Sequence, residues 1–469
     1  MSISTDKHAD APRSLFTPPF AAPTLLTREQ CDAIAKKVLS FAKADETRVV
    51  ISSTANGNMR FAVNQASTSG DNYDNTVTVR SAFGKRSASS TTNSHDDASL
   101  KAVVDRAESL ARLAPEDPEA MPELGPQTYK PGVNWSDATA SLDPASRAAA
   151  VRKITEPAKA AGLVSTGFME GITSATAIAN NKGLFAYNRS TASVLTTTVR
   201  TADATGSGWA GATHHDWSRV DSGSLGVRAT NKAKTSVNPV AIEPGRYTVV
   251  FEPTAVGNLV QFIAGALNAR AADEGRSFFS LPGGKNKIGQ KIVDERVTIV
   301  SDPFDPDVAG SPFAGDGLPT QRVVWIENGV VKNLNYDRYW AQKNGRAPTG
   351  AGGSIKMSGG TQSLDDLIRS TQRGLLVTRF WYLRPVDPRT ILYTGLTRDG
   401  TFLIENGKIT RPVKNLRFND SPIFMLNNLE AMGVPERVSA SEGGEPGQAI
   451  MVPPIKVRDF NFTSLSDAI

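Results

Sequence analysis

Residues 76–97, TVTVRSAFGKRSASSTTNSHDD, and residues 196–217, TTTVRTADATGSGWAGATHHDW, are two versions of one sequence pattern. Each begins with threonine and valine residues, which favour a strand, and each closes with a polar stretch that contains a histidine followed by an aspartate. In each stretch the histidine stands fifteen residues after an arginine; the matching positions are Arg80, His95, Arg200 and His215. A second match, Phe-Ala-x-Asn, lies upstream at residues 61–64 and 185–188. The two stretches therefore predict a duplicated unit.

Predicted helices frame the strands of each copy. Thr27 and Gln30 have the spacing of a capping box, and apolar residues then recur on one helical face. The four predicted helices span residues 27–45, 97–113, 143–162 and 221–235. Asn-Gly at 56–57 predicts a hairpin turn between two strands of the first copy. We therefore predict a helix–strands–helix unit, present twice, in an N-terminal domain spanning residues 25–236.

The second half of the chain is rich in strand patterns and has few helical ones. Glu-Asn-Gly at 327–329 and at 405–407 separates alternating apolar segments, which is a hairpin signal. Further predicted elements are a strand within EPGRYTVVFEP, helices over 254–273 and 420–433, and a Gly/Ser-rich loop over 348–363. The fold class expected is α+β: the duplicated domain, followed by a β-rich, barrel-like C-terminal domain over residues 243–469.

Composition narrows the class of protein. The net charge is only +5, from 52 basic and 47 acidic residues, without a basic run that would favour nucleic acid. A single cysteine, Cys31, excludes an intramolecular disulfide and agrees with a reducing compartment. The sequence shows no secretion signal and no apolar run long enough to cross a bilayer. We expect a soluble, cytoplasmic protein with a disordered tail over residues 1–24 and no membrane partner.

The stretch ATHHDW raises the question of a metal site, because it holds two of only four histidines in the chain. If the strand continued, His214 and His215 would point to opposite faces, so that only one of them would face a shared metal with Asp216. The aspartates that follow His95 and His215 also suit a helix N-terminus, where a carboxylate accepts from free N–H groups. We favour this capping interpretation. Whether the two duplicated histidines meet in space is left open by the sequence.

Other chemical motifs are weak. Asp302, Asp305 and Asp307 are the only carboxylate cluster for a hard cation, and they lack the spacing of a calcium loop. We interpret them as a solvated turn. Ser354 and Lys356 are separated by one residue rather than two, which does not match a Ser–Lys catalytic pair. Cys31 lies among apolar helix positions, which indicates a buried, neutral thiol.

Several segments of the second half resemble the TldD/PmbA (TldD/TldE) metalloprotease family. They include EPGRYTVVFEPTAVGNLVQFI, GLPTQRVVWIENGVVKNLNYDRYW and IRSTQRGLLVTRFWYLRPVDP, and the similarity runs in order over residues 27–465. The resemblance implies a cytoplasmic complex of two related chains that trims unfolded peptides. In it, a TldD-type chain binds zinc through a His-Glu-x-x-x-His helix and a distant cysteine, whereas a TldE/PmbA-type chain lacks these ligands.

This chain resembles the TldE/PmbA type. The His-Glu-x-x-x-His positions fall on residues 261–266, where Gln261 and Ala266 replace the histidines and Phe262 replaces the glutamate. The resemblance therefore transfers no catalytic, cofactor-binding or metal-binding residue to this chain. It implies a zinc-free, non-catalytic subunit that shapes the chamber, binds substrate and pairs with a zinc-bearing TldD-type chain or with itself. The alternative is a homomeric peptide-binding or scaffold protein without a protease partner.

Overall fold

The computed structural model describes residues 24–443 and 449–466. Apart from Thr24, the predicted tail therefore lies outside the described residues. The first half contains α1 (Arg28–Phe41), β1 (Glu46–Ala62), β2 (Gln65–Phe83), β3 (Arg86–Thr92), α2 (Asp97–Leu113), α3 (Asp137–Ala140), α4 (Pro144–Ala160), β4 (Val164–Asn180), β5 (Phe185–Arg200), β6 (Ser207–His214) and α5 (Ser222–Thr235). A 3₁₀ turn, Trp217–Arg219, lies between β6 and α5.

The six strands of this half form one sheet in the order β3-β2-β1-β4-β5-β6. Each copy contributes three strands, and the antiparallel pairing of β1 with β4 joins the copies at the centre. Helices α1 and α2 pack on the first copy around a core that includes Val38, Val79 and Val104. Helices α4 and α5 pack on the second around Ile154 and Ala229. The predicted repeat of helix, strands and helix is confirmed.

The hairpin predicted at Asn-Gly is wrong. Gly57 lies inside the long strand β1, and the chain turns at Val63 and Asn64, whose φ angles are 50° and 60°. Two central residues with positive φ are what a two-residue hairpin turn of type I′ requires. Gly57 has a different role, because a Cβ there would lie 1.9 Å from Nη1 of the buried Arg147 side chain.

The proposed residue matches between the copies also need correction, although the order of elements repeats. Phe61 lies near the end of β1, whereas Phe185 is the first residue of β5, so the two Phe-Ala-x-Asn motifs are not equivalent. Asp96 caps α2 by accepting from Ser99 N, as predicted. In the second copy Asp216 caps only the 3₁₀ turn, and Asp221 caps α5.

The second half is built from strands around one buried helix. Its strands are β7 (Gly245–Phe251), β8 (Ser280–Leu281), β9 (Lys285–Asn286), β10 (Ile299–Ser301), β11 (Val323–Glu327), β12 (Val330–Val331), β13 (Lys356–Met357), β14 (Arg373–Val377), β15 (Phe380–Asp387), β16 (Leu392–Thr397), β17 (Thr401–Glu405), β18 (Lys408–Pro412), β19 (Leu416–Asp420), β20 (Leu429–Met432), β21 (Glu436–Ser439), β22 (Ala449–Val452) and β23 (Ile455–Leu465). Its helices are α6 (Pro253–Ala266), α7 (Ala269–Asp273), α8 (Arg338–Lys343), α9 (Leu364–Arg369) and α10 (Pro422–Asn427).

Nine strands form a sheet in the order β15-β16-β19-β23-β7-β14-β17-β18, with β20 paired to β23. Six others form a second sheet in the order β12-β11-β10-β13-β22-β21. Helix α6 belongs to the large core of this half, and its Val256, Val260 and Ile263 are fully buried. The α+β class with a strand-rich, curled second half is confirmed.

In the second half, the predicted hairpins are confirmed and the bounds of the two predicted helices need correction. Both Glu-Asn-Gly hairpins are confirmed, and Asn328 and Asn406 have φ angles of 50° and 51°. The helix predicted over 254–273 is two helices, because the chain breaks after Leu267 and Asn268 caps α7. The helix predicted over 420–433 ends at Asn427, and the remaining residues form β20.

None of the described helices combines the length and the apolar character needed to cross a membrane.

Candidate functional site

The three positions that the resemblance relates to a zinc helix lie on the last turns of α6. Gln261 is half-buried, and its Nε2 donates to Ala440 O at 2.5 Å and to Asn258 O at 3.0 Å. Asn258, almost fully buried, also donates to Ala440 O, at 2.9 Å, and accepts from Phe380 N at 3.1 Å. These amides fasten α6 to two neighbouring segments, so the Gln261 side chain is already used in the fold.

Phe262 makes an aromatic contact where an acid–base group would stand in a zinc peptidase. Its ring stacks on that of Tyr393 in β16, with centroids 3.6 Å apart and planes 11° from parallel. Burial raises the pKa of Tyr393. The ring of Phe262 offers no group that accepts a proton from water. Ala266 packs against the same core.

The described residues contain no group of three or more His, Cys, Asp or Glu side chains placed to hold a metal ion. A structural zinc site uses four such ligands and a catalytic one three plus water. The side chains at 261, 262 and 266 supply none of them. The described residues therefore do not fit zinc at this helix.

The two histidines of ATHHDW lie side by side rather than on opposite faces. Strand β6 ends at His214, and the two rings are 4.5 Å apart. His214 is buried, and its Nδ1 accepts from Asp216 N at 2.8 Å. Burial lowers the pKa of His214 to about 4, and the guanidinium of Arg437 acts in the same direction. The pair is therefore a neutral, packed element of the β6 end.

His95 and His215 do not meet. His95 follows β3 and His215 follows β6, which are the opposite edges of the six-stranded sheet. Five strand spacings separate the edges, or roughly 24 Å. The two His-Asp sequences therefore lie far apart, at opposite edges of the sheet, and do not form a shared site.

The aspartates of the 301–310 segment are paired with a lysine, which corrects their interpretation as a solvated turn. Lys356 Nζ donates to Asp305 Oδ2 at 3.0 Å and to Asp307 Oδ2 at 3.1 Å. Burial alone would lower the pKa of Lys356, but the bonds to both carboxylates outweigh it and raise the pKa. Asp302 closes a local turn by accepting from Phe304 N. An ammonium held in this way is neither a catalytic base nor compatible with a cation between the aspartates.

Cys31 is fully buried, as predicted. Burial raises the pKa of its thiol to about 11, so the neutral form dominates at physiological pH. The thiol belongs to the α1 core rather than to a reactive site.

Two cavities that the sequence analysis missed lie between the halves. One has a volume of about 570 Å³ and the other about 220 Å³, and both are lined by Arg398 and Asp399. Residues from β5 and β6 form one wall of the smaller cavity, and residues around β15 form another. The sequence RFWYLR at 379–384, which is rich in arginine and aromatic residues, was a signal for the wall around β15. The wall from β5 and β6 comes to lie beside it only in the folded chain.

A strand edge was also missed. Strand β3 pairs with β2 only over residues 77–83, so that residues 65–76 of β2 have β1 on one side and no strand on the other among the described residues. Those residues are mostly exposed. An edge of this length presents free N–H and C=O groups to which another extended chain adds.

The second copy shows how such an edge is covered. Strand β5 pairs with β6 only over residues 193–200, and the segment around Asn134 runs beside its first half. Thr191 N donates to Asn134 O at 2.8 Å, and Ser136 N donates to Thr191 Oγ1 at 3.0 Å. An extended segment of the same chain therefore covers this edge of the second copy.

Comparison with known proteins identifies the family to which this fold belongs. The PmbA/TldA metallopeptidase domain 1 matches residues 48–111, the central domain matches 136–237, and the C-terminal domain matches 244–464. Together these matches cover most of the chain in the family's order. The chain belongs to the PmbA/TldD metallopeptidase family.

Individual relatives are distant. A protein from Methanothermobacter thermautotrophicus named metalloprotease is 27% identical over 263 residues, covering 51% of this chain and 55% of the relative. A TldD homologue from Buchnera aphidicola, named metalloprotease, is 30% identical over 183 residues, covering 36% and 38%. The alignments thus span about half, or less, of these relatives. The crystal structure of TldE from Thermococcus kodakarensis shares the fold, with a TM-score of 0.80, 19% identity, and coverage of 92% of this chain and 100% of that chain.

Proposed function

We propose that this chain is the zinc-free, non-catalytic subunit of a TldD/TldE-type metalloprotease complex that trims unfolded peptides in the cytoplasm. The observation that carries the proposal is the α6 helix. In a metallopeptidase-family fold, its Gln261 is bonded to Ala440 O and its Phe262 is stacked on Tyr393. Both side chains serve packing, so the zinc and the water-activating group are expected from a TldD-type partner.

The exposed β2 edge supports pairing with another extended chain. Residues 65–76 are polar and carry Asp71 and Asp74, and β3 leaves their outer edge open among the described residues. The second copy covers its corresponding edge with the chain around Asn134. We infer that an extended segment of the partner subunit or of the peptide substrate adds to this edge, since main-chain bonding tolerates variable sequences.

The test uses the full chain alone and after co-expression with a TldD-type chain from the same cell. Zinc per chain is measured by atomic emission, and cleavage is measured with a casein as the unfolded substrate. The proposal predicts zinc and cleavage in the mixture and neither in this chain alone. One equivalent of zinc together with cleavage by the chain alone would overturn it.

The role of the β2 edge is tested by labelling. Ser69→Cys on the edge and Ser109→Cys on the exposed side of α2 are each coupled to a bulky maleimide polymer. Both serines are exposed. Association with the TldD-type chain is then measured. We expect the polymer at position 69 to prevent this association and the polymer at position 109 to leave it intact. Equal association of both conjugates would exclude the edge as a docking site.

The alternative function is a homomeric peptide-binding or scaffold protein. Its support is the same packed α6 helix, which leaves the chain without catalytic groups of its own there. Mass measurement of the purified chain in solution, with and without the TldD-type chain, separates the two. A self-association that the second chain does not displace favours the alternative.

A further inference from the structure

The smaller cavity between the halves is walled on one side by the β5–β6 hairpin. Thr196, Thr198 and Arg200 alternate along β5 and therefore share a face. Trp209 is the cross-strand partner of Thr198. This face of the hairpin thus brings a guanidinium, an indole and two hydroxyl-bearing residues to one cavity.

The other wall is centred on Arg379, which lies between strands β14 and β15 of the large sheet. This residue is only 4% exposed. Its guanidinium carbon lies 4.4 Å from the ring centroid of Trp209 and 5.3 Å from that of Trp381. It donates to Asp399 Oδ2 at 3.3 Å and to Glu442 O at 2.7 Å. A buried cation is thus set between two indoles and one carboxylate.

The acidic groups of this cavity are engaged with the protein. Besides Arg379, Asp399 accepts from the Ser207 hydroxyl. Glu442 also lines the cavity, and its carboxylate accepts from Leu383 N and lies 3.5 Å from Arg384 Nη1. The two lining carboxylates, Asp399 and Glu442, are therefore both bonded to other groups of the protein, and neither is bonded to Arg200. The lining guanidiniums are those of Arg200, Arg379 and Arg398.

The surroundings of Arg379 disfavour its charged form. Burial lowers the pKa of Arg379 to about 10, and the charge of neighbouring Arg398 acts in the same direction. The carboxylates of Asp399 and Glu442 act in the opposite direction. An under-compensated buried cation is stabilised by an additional anion nearby.

Arg200 has hydrogen-bond donors to spare. It is half-buried as the last residue of β5, and its side chain makes no hydrogen bond or ion pair with any of the described residues. A guanidinium carries five N–H donors in a planar fork that matches the two oxygens of a carboxylate.

We propose that this cavity binds a carboxylate of an extended peptide, supplied by the C-terminus or by an acidic side chain. Arg200 donates to the carboxylate, and Trp209 and Trp381 contact the apolar part beside it. The adjoining cavity of about 570 Å³ shares Arg398 and Asp399 and accommodates further residues of the peptide. The choice of a peptide as ligand rests on the proposed function, whereas the preference for a carboxylate rests on the cavity alone.

The experiment measures binding to the full chain alone by titration calorimetry. The probes are acetyl-Ala-Ala-Leu-Phe as the free acid, the same peptide as the C-terminal amide, and acetyl-Ala-Glu-Leu-Phe amide. We expect the free acid to bind about tenfold or more tightly than the first amide, as for loss of a charge-assisted hydrogen bond. Recovery of affinity in the glutamate peptide would assign the carboxylate to a side chain, and no recovery would assign it to the C-terminus.

The variant Arg200→Gln is expected to abolish the preference for the acid. Its matched control is Arg228→Gln, which removes the same charge from an exposed position of α5. The comparison of acid with amide on the unaltered chain needs no variant and so does not depend on folding. Equal affinity for acid and amide, absence of binding, or an unchanged preference in Arg200→Gln would overturn the proposal. Because no TldD-type chain is present, these outcomes are independent of whether the complex forms.

Discussion

Phe262 and Tyr393 stack face to face, with ring centroids 3.6 Å apart. We expect Phe262→Ala to lower the free energy of unfolding by about 2 kcal/mol, because it removes both a half-buried ring and the aromatic contact. Chemical denaturation of both proteins measures the difference. Tyr393→Phe, which keeps the stack and removes only the hydroxyl, should change stability by less than about 0.5 kcal/mol. Equal effects of the two substitutions would contradict a packing role for Phe262.

Gly57, in β1 of the first copy, is in tight contact with Arg147, in α4 of the second copy. A Cβ at position 57 would lie 1.9 Å from Arg147 Nη1, and the Arg147 guanidinium is held by Asp71 Oδ1 at 2.7 Å and by Leu142 O at 3.2 Å. Gly57→Ala should therefore destabilise the protein by about 2 kcal/mol through overpacking.

The matched control for this substitution is Gly70→Ala. The nearest atom to a Cβ at position 70 is 3.8 Å away, on the Asn58 side chain, so the new methyl group has room. Thermal unfolding of both variants checks the prediction. A destabilisation of Gly70→Ala as large as that of Gly57→Ala would mean that strand propensity, rather than the Arg147 contact, explains the glycine.

The buried thiol of Cys31 supplies a third prediction. Since burial raises its pKa to about 11, the thiolate that attacks a maleimide is scarce in the folded protein. At pH 7.5, we expect Cys31 to react at least about a hundredfold more slowly than the exposed thiol of Ser69→Cys. Mass spectrometry of timed samples measures both rates in one protein. Comparable rates would show that α1 opens readily.

The parts of the fold that the sequence predicted are those whose cause is local. Thr27 caps α1 in a capping box, Asp96 caps α2, and Asn328 turns a hairpin, and each signal lies within a few residues of its effect. The role of Gly57 was misinterpreted because a side chain at position 57 is excluded by contact with Arg147, which is ninety residues away in the chain. Periodicity over 420–433 likewise suited a helix, but pairing with β23 makes Leu429 part of a strand.

In the candidate site, too, the sequence predicted what depends on contiguous residues and missed what depends on residues distant in the chain. The resemblance to the family was enough to predict that residues 261–266 lack zinc ligands, because the positions compared are contiguous in the sequence. The carboxylate cavity was not visible, because Arg200 ends β5 and Arg379 lies between β14 and β15, and the two come together only in the folded chain. The lysine between Asp305 and Asp307 was missed for the same reason, since it comes from the distant β13.

The last prediction concerns pH. Burial lowers the pKa of His214 to about 4 in the folded protein, below its ordinary value of 6.5. The unfolded chain therefore takes up a proton on this side chain near pH 6.5, and the folded protein only near pH 4. The contribution to stability is complete above pH 6.5 and is lost as the pH falls towards 4, by at most about 3 kcal/mol. Urea unfolding of the unaltered chain at pH 7.5 and pH 5 measures the loss.

The comparison variant for this prediction is His214→Asn, whose amide oxygen can accept from Asp216 N in place of the imidazole Nδ1 but does not titrate. It removes the His214 contribution and leaves His215, whose pKa burial also lowers, together with the charges of Arg437, Arg219 and Asp216. The variant should lose less stability between the two pH values than the unaltered chain. An identical loss in both proteins would assign the acid sensitivity to other groups and would argue that His214 is not kept neutral by its surroundings.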